Sequence, residues 1–217
     1  MSAIRLSLLC VLRMRCRYNG VMSYFHVPTI HTFLLAILMA GICAVGSAQA
    51  VGNGIKTIDV HTDPRGGVVA HATLNIAAPP AVVQQILTDY EHWPELFTVS
   101  MRMARIERYP DRVVTDIYLK HGFLSGERRL LGENRELPEG GVHTTMLEGD
   151  FRRYSRTWKI SSDGTNKTTK AEFHLEVEVD TLAPDWLVAT MMKRELESHF
   201  QILNEKASQR AGLSPGH

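Results

Sequence analysis

The chain has 217 residues, 44% of them hydrophobic, with 24 basic and 23 acidic side chains and a formal net charge of +1. Such a length supports one domain with a sizeable core, and a charge so near zero gives no global attraction to nucleic acid or anionic lipid surfaces. All three cysteines, Cys10, Cys16 and Cys43, precede residue 51, which excludes disulfide, thiol-nucleophile and cysteine-metal chemistry from the rest of the chain.

In chain order, the first feature is an address. Residues 33–45, FLLAILMAGICAV, form a thirteen-residue apolar run, short for a bilayer span and the size of a signal-peptide core. Arg5, Arg13, Arg15 and Arg17 precede it without an acidic residue, and Ala48 and Ala50 supply a small-x-small cleavage pattern. Residues 1–50 therefore read as a signal peptide cleaved after Ala50, with Met14 as an alternative start that keeps Arg15 and Arg17. An uncleaved membrane anchor is the alternative; a lipoprotein fits less well, because Ile42 stands where a small residue should precede Cys43. Cleavage leaves 167 residues with 20 basic and 23 acidic side chains. The product is expected to be exported, periplasmic in a bacterium and secreted otherwise, where a lack of thiols is an advantage.

Residues 51–66, rich in Gly, Asp and Thr, read as a lead-in. GVVAHATLNI (67–76) reads as a strand with Val68, Ala70, Ala72, Leu74 and Ile76 on one face. Pro79 and Pro80 mark a helix start, Val82, Val83, Ile86, Leu87 and Tyr90 follow at helical spacing, and Pro94 ends or kinks that helix. Period-two patterning then holds for some eighty residues. Strands are expected at 99–103, 112–119, around 126–135, around 142–148, at 154–160 and at 171–180, with turns at 109–111, 138–141 and 161–164. A long helix opens at Pro184 and Asp185 and runs to about Ala207, with Val188, Met192, Leu196, Phe200, Leu203 and Ala207 as its apolar stripe. Residues 209–217 read as a tail.

This order predicts an α+β helix-grip fold: a curved antiparallel sheet of about six to seven strands gripping the long C-terminal helix, with two short helices after the first strand. Where helix and sheet fail to close, an apolar cavity remains.

The segment AVVQQILTDYEHWPELF (81–97), with Leu87, Asp89, Tyr90 and Pro94, resembles the start of the START-like (SRPBCC) superfamily. More narrowly it is similar to the coenzyme-Q-binding and polyketide cyclase/dehydrase branch. Phe151 followed by Trp158, and APDWL (183–187) before a final long helix, match the same layout. The resemblance covers residues 67–208. It implies a domain that binds lipids, sterols, quinones or polyketides, with a minority of enzymes among its relatives. Intracellular members of that family act in respiration or associate with ribosomes, and an export signal departs from them.

The eight histidines after residue 50 show no tight ligand spacing such as H-x-x-x-H, so neither a metal nor any other cofactor is expected. His174 shares a strand face with glutamates and reads as solvated. His199, beside the helix stripe, reads as a core histidine or as a polar contact to a ligand. Asp116 and Glu133, mid-strand, are expected to face water. Arg128, Arg129, Arg152, Arg153 and Arg156 read as a solvated basic face balanced by Glu127 and Glu133, with an anionic lipid head at the cavity mouth as the sharper alternative. The expected ligand-binding walls are Met101, Met103, Ile117, Leu119, Phe173, Leu175, Val188, Met192 and Leu196, with His199 beside them and Tyr90, Trp93 and Phe97 near the entrance. Five methionines at these and neighbouring positions suit flexible hydrophobic ligands.

The function expected from these residues is an exported carrier for a hydrophobic small molecule, lipid-like, with transient membrane contact, no nucleic-acid partner and no partner protein identified. A cyclase- or hydrolase-like enzyme using the same cavity is the alternative, and an interaction module with a collapsed interior is the second. A buried, convergent acid–base pair would favour the enzyme, a cavity of several hundred Å³ the carrier, and a fully packed interior the module.

Overall fold

The computed structural model describes residues 54–122 and 126–212. The signal peptide expected over 1–50 and residues 213–217 of the tail lie outside them.

Eight strands form one antiparallel sheet, in the order β1-β2-β8-β7-β6-β5-β4-β3. In sequence they are β1 (Ile55–Thr62), β2 (Val68–Ile76), β3 (Ser100–Arg108), β4 (Val113–Lys120), β5 (Arg128–Glu136), β6 (Gly141–Gly149), β7 (Phe151–Ser162) and β8 (Thr169–Val179). Helix α1 (Pro80–Leu87) and a 3₁₀ turn (Tyr90–Leu96) follow β2, and helix α2 (Asp185–Arg210) closes the chain. The expected helix-grip architecture is correct. The sheet has one strand more than expected, because residues 51–66 are not a lead-in but contain β1. That strand hides in the sequence for two reasons: it is half exposed, and an irregularity between Ile55 and Thr57 breaks the period-two alternation.

Alternation decides which side chains enter the core. On β2, Val68, Ala70, Ala72, Leu74 and Ile76 are all buried, and on β8 Ala171, Phe173, Leu175 and Val177 are too. The two strands pair in register, Ala72 opposite Phe173 and Ala70 opposite Leu175, giving a continuous apolar wall. Pro94 does not end a helix; it sits inside the 3₁₀ turn that leads to β3. At the β5–β6 turn, Gly141 has φ +105° and a Cβ there would collide with the Trp158 carbonyl, so only glycine fits. Its amide donates to Gln84 Oε1 at 2.8 Å, which ties α1 to this end of the sheet.

Helix α2 packs on β1, β2, α1 and the 3₁₀ turn. Its second half is locked: Phe200, Leu203 and Ala207 are fully buried, and Asn204 Oδ1 accepts from the Ala77 amide at 3.1 Å. Phe200 meets Trp158 and Phe173 edge-on at 5.5 and 5.1 Å between ring centres, an arrangement aromatic quadrupoles favour. The first half is looser, and Met191 and Met192 are only half-buried.

This division predicts unequal costs of truncation. Leu203→Ala should destabilise by about 3 kcal/mol, whereas Met192→Ala should cost under about 1.5 kcal/mol. Denaturant unfolding checks both, and equal losses would contradict a helix held mainly by its second half.

Candidate functional site

The uncovered part of the concave face encloses a cavity of about 90 Å³ between the first half of α2 and strands β3–β8. It is smaller than the several hundred Å³ usual for a small-molecule site, yet the interior is not fully packed. Its lining contains eleven of the thirteen expected residues: Trp93, Phe97, Met101, Ile117, Leu119, Phe173, Leu175, Val188, Met192, Leu196 and His199. Tyr90 and Met103 lie outside it. Tyr90 is 2% exposed and packs edge-on against Trp93 at 4.8 Å; Met103 packs on the core just before an irregularity of β3 between Met103 and Arg105. Trp93, at 4% exposure, is buried as well. Tyr90 and Trp93 are thus packed into the interior, while Phe97 is half-buried in the lining. Half-buried Val99, Met101, His121, Tyr154, Val179, Met192 and Glu195 make up the more open part of the lining.

A row of polar groups crosses the inner face of the sheet. Asn134 on β5 pairs with Thr144 on β6, which pairs with Arg156 on β7. Asn134 Nδ2 donates to Thr115 Oγ1 on β4 at 3.0 Å, and Thr144 Oγ1 donates to Asn134 Oδ1 at 2.8 Å. Arg156 Nη2 then donates to Thr144 Oγ1 at 3.2 Å. All four side chains are buried, and Thr115, Thr144 and Arg156 line the cavity. The Arg156 guanidinium lies 4.5 Å from the centre of the Trp93 ring, a cation–π contact that offsets part of the cost of burying its charge.

Arg156 corrects the expectation of a uniformly solvated basic face. Arg129, Arg152 and Arg153 do project to the other side of the sheet. Their carboxylate partners are Asp116, Glu148, Asp63, Glu176, Glu178 and Asp180 rather than Glu127 and Glu133. Arg128, opposite cavity-lining Leu119 and in phase with Leu130 and Asn134, lies on the inner side at the start of β5 and donates from Nη2 to the Asp180 carbonyl at 3.3 Å. Arg156 instead shares the phase of Trp158 and Ile160, both buried. The strand's own alternation carried this signal. Asp116 is buried, but by its two hydrogen bonds to Arg129 at 2.9 and 3.0 Å on the side away from the cavity. His174 is half-buried beside Glu176, 3.2 Å away, and His71.

His199 is held from α2 by two contacts. Its Nδ1 donates to the Leu96 carbonyl at 2.8 Å, and its ring stacks on Phe97 at 4.2 Å with the planes 3° apart. A carbonyl can only accept, so the proton is fixed on Nδ1 and Nε2 presents a lone pair. That nitrogen is buried and meets no donor among the described residues. Burial pushes the imidazole pKa down to about 4; the Leu96 hydrogen bond opposes the shift and nearby Arg156 adds to it. A second polar pair lies in the more open part of the lining, where His121 Nδ1 stands 3.0 Å from Glu195 Oε1. No group of His, Cys, Asp or Glu among the described residues is arranged to hold a metal ion.

Residues 76–200 match the family model described as polyketide cyclase / dehydrase and lipid transport. Solved structures with the same fold include TTHA0849 from Thermus thermophilus, at 23% identity over 66% of this chain and 99% of that one, with a TM-score of 0.56. A START superfamily protein from Mycobacterium smegmatis matches at 19% identity over 65% and 98%, TM-score 0.53. The Zhui aromatase/cyclase from Streptomyces sp. R1128 matches at 12% identity over 70% and 96%, TM-score 0.53. No curated protein sequence matches the chain.

The depressed pKa of His199 makes a pH prediction. Between pH 6.5 and 4 the unfolded chain protonates this histidine while the folded one does not. The unfolded state then binds more protons, so stability falls as pH is lowered through that window, by about 3 kcal/mol in total. In His199→Gln this part of the loss should vanish. Denaturant unfolding of both proteins at pH 7, 5.5 and 4 checks it, and parallel losses would contradict a buried neutral imidazole.

Proposed function

The chain belongs to the polyketide cyclase / dehydrase and lipid transport family, of START-like helix-grip architecture, and on that premise we propose that it is a carrier for a hydrophobic, lipid-like small molecule. The ligand would be a lipid, sterol, quinone or polyketide-like compound held between α2 and the concave face of the sheet. The observation that carries this reading is the apolar cavity left where the helix fails to cover the sheet. Each CH₂ transferred into it from water gains about 0.8 kcal/mol. A ligand larger than about 90 Å³ enters by displacing Met101 and Met192, whose unbranched thioethers rearrange at little cost. An interaction module with a collapsed interior would fill that space with side chains.

The proposal extends to export, with residues 1–50 as the leader, and to transient membrane contact. Leu182 and Trp186, exposed at the approach to α2 and in its first turn, support the latter. One observation favours a second reading, a cyclase-type enzyme: the His121–Glu195 pair faces the same cavity and is placed for acid–base work. The two separate by mass. A carrier returns its ligand unchanged after long incubation, and an enzyme returns a product.

Met192→Trp tests the carrier reading, because it narrows the cavity from the loosely held half of α2. Affinity for a fluorescent fatty acid or quinone analogue should drop at least about tenfold, with a thermal midpoint within a few degrees of the parent. A large fall in the midpoint would mean overpacking of a filled core and would remove the reading's physical basis. For export, N-terminal sequencing of the secreted or periplasmic form should read from Val51; residues 33–45 retained in a soluble cytoplasmic protein would contradict it.

A further inference from the structure

A guanidinium inside an apolar cavity is costly, since removing an ion from water takes several kcal/mol unless it is paired. Arg156 is 8% exposed. Its five N–H groups have one hydrogen-bond acceptor among the described residues, Thr144 Oγ1, and its Nε is buried with no acceptor at all. The cavity's own carboxylate, Glu195, is engaged with His121. Packing alone gives no reason for an arginine at this position, because its neighbours on the same face of β7, Trp158 and Ile160, show that the wall accepts apolar side chains.

We infer that Arg156 is the anchor for a carboxylate: the cavity takes an amphipathic monoanion, such as a fatty or aromatic acid, head inward, with its apolar body toward Met101 and Met192. This rests on the carrier reading above and names the class of ligand. Three observations converge on it. The buried guanidinium supplies the donors, and its planar fork matches a carboxylate with two parallel hydrogen bonds. The Thr115–Asn134–Thr144 row fixes that fork from one side and Trp93 fixes it from another, so little order is lost when a ligand arrives. His199, neutral in its buried setting, adds no second charge, which leaves this end of the cavity matched to one negative charge and not to a dianionic phosphate. Its unpartnered Nε2 lies in the same lining and adds a second polar atom at the head-group end.

The test compares decanoic acid with 1-decanol by calorimetry, on protein purified after expression of the full chain. Decanoate should bind about tenfold to a hundredfold more tightly than decanol, the range expected of a charged hydrogen-bonded pair. Arg156→Met should bring decanoate down to the affinity of decanol and leave decanol within about twofold. Its thermal midpoint should not fall, because removing an unpaired buried charge does not destabilise. Equal binding of acid and alcohol by the unaltered protein overturns the anchor, a result that needs no variant to fold. Undiminished decanoate binding by Arg156→Met overturns it too. If neither probe binds at millimolar concentration, the carrier reading itself fails and the anchor with it, which is a different result from equal binding of both.

Discussion

A single α-helix is about 10 Å across with its side chains, while eight strands about 4.8 Å apart make a surface several times wider. The rest of the structure answers that mismatch. The sheet curls, which lets one helix meet it from inside, but contact is complete only along β1, β2 and the segment around α1. There Phe200, Leu203 and Ala207 are sealed, and Asn204 and Ser208 satisfy backbone groups of the β2–α1 connection. Toward β3–β5 the sheet carries no closely packed α-helix, and the first half of α2 spans the gap with half-buried Met192 and Glu195. The cavity is thus a consequence of geometry, and side-chain choice decides what it holds.

That choice is unusual in one place. Most of the lining is apolar, as an internal cavity facing a covered sheet requires, but a hydrogen-bonded line of Thr115, Asn134, Thr144 and Arg156 runs across four adjacent strands. Buried polar groups are tolerated when their partners are complete. This line is complete at the Asn134 end and incomplete at the Arg156 end, where a charged group and the His199 nitrogen both keep unused capacity beside the cavity. Stability alone does not account for such an arrangement, since an apolar residue in place of Arg156 would avoid the desolvation cost. A polar end to an otherwise oily space gives a bound molecule a direction.

Much of this was legible in the residues. AEFHLEVEVD (171–180) alternates without a break, so its buried and exposed faces follow from the residues alone, and the stripe from Val188 to Ala207 does the same for α2. Paired prolines placed the start of α1 correctly. β1 was not legible, because an edge strand with one face half in water needs few apolar residues and its irregularity shifts the phase midway. Arg156 was misread for a related reason. Charges at 152, 153 and 156 look like one cluster along the sequence, while a pleated strand with an irregularity between Phe151 and Arg153 sends Arg156 inward with Trp158 and leaves the other two outside. The His199 tautomer, the polar row and the cavity's modest size depend on distances between elements far apart in the chain, which no local pattern encodes.

The central claim is that a ligand enters beneath the first half of α2 and sits against the inner face of the sheet. Methyl-labelled methionine resonances report this directly, because Met192 lines the cavity while Met191, its neighbour in sequence, does not. Titration with decanoic acid should shift the Met101 and Met192 methyl signals saturably and leave Met191 in place. Saturating probe with no change at Met101 and Met192, or a shift at Met191 as large as that at Met192, would contradict an internal site.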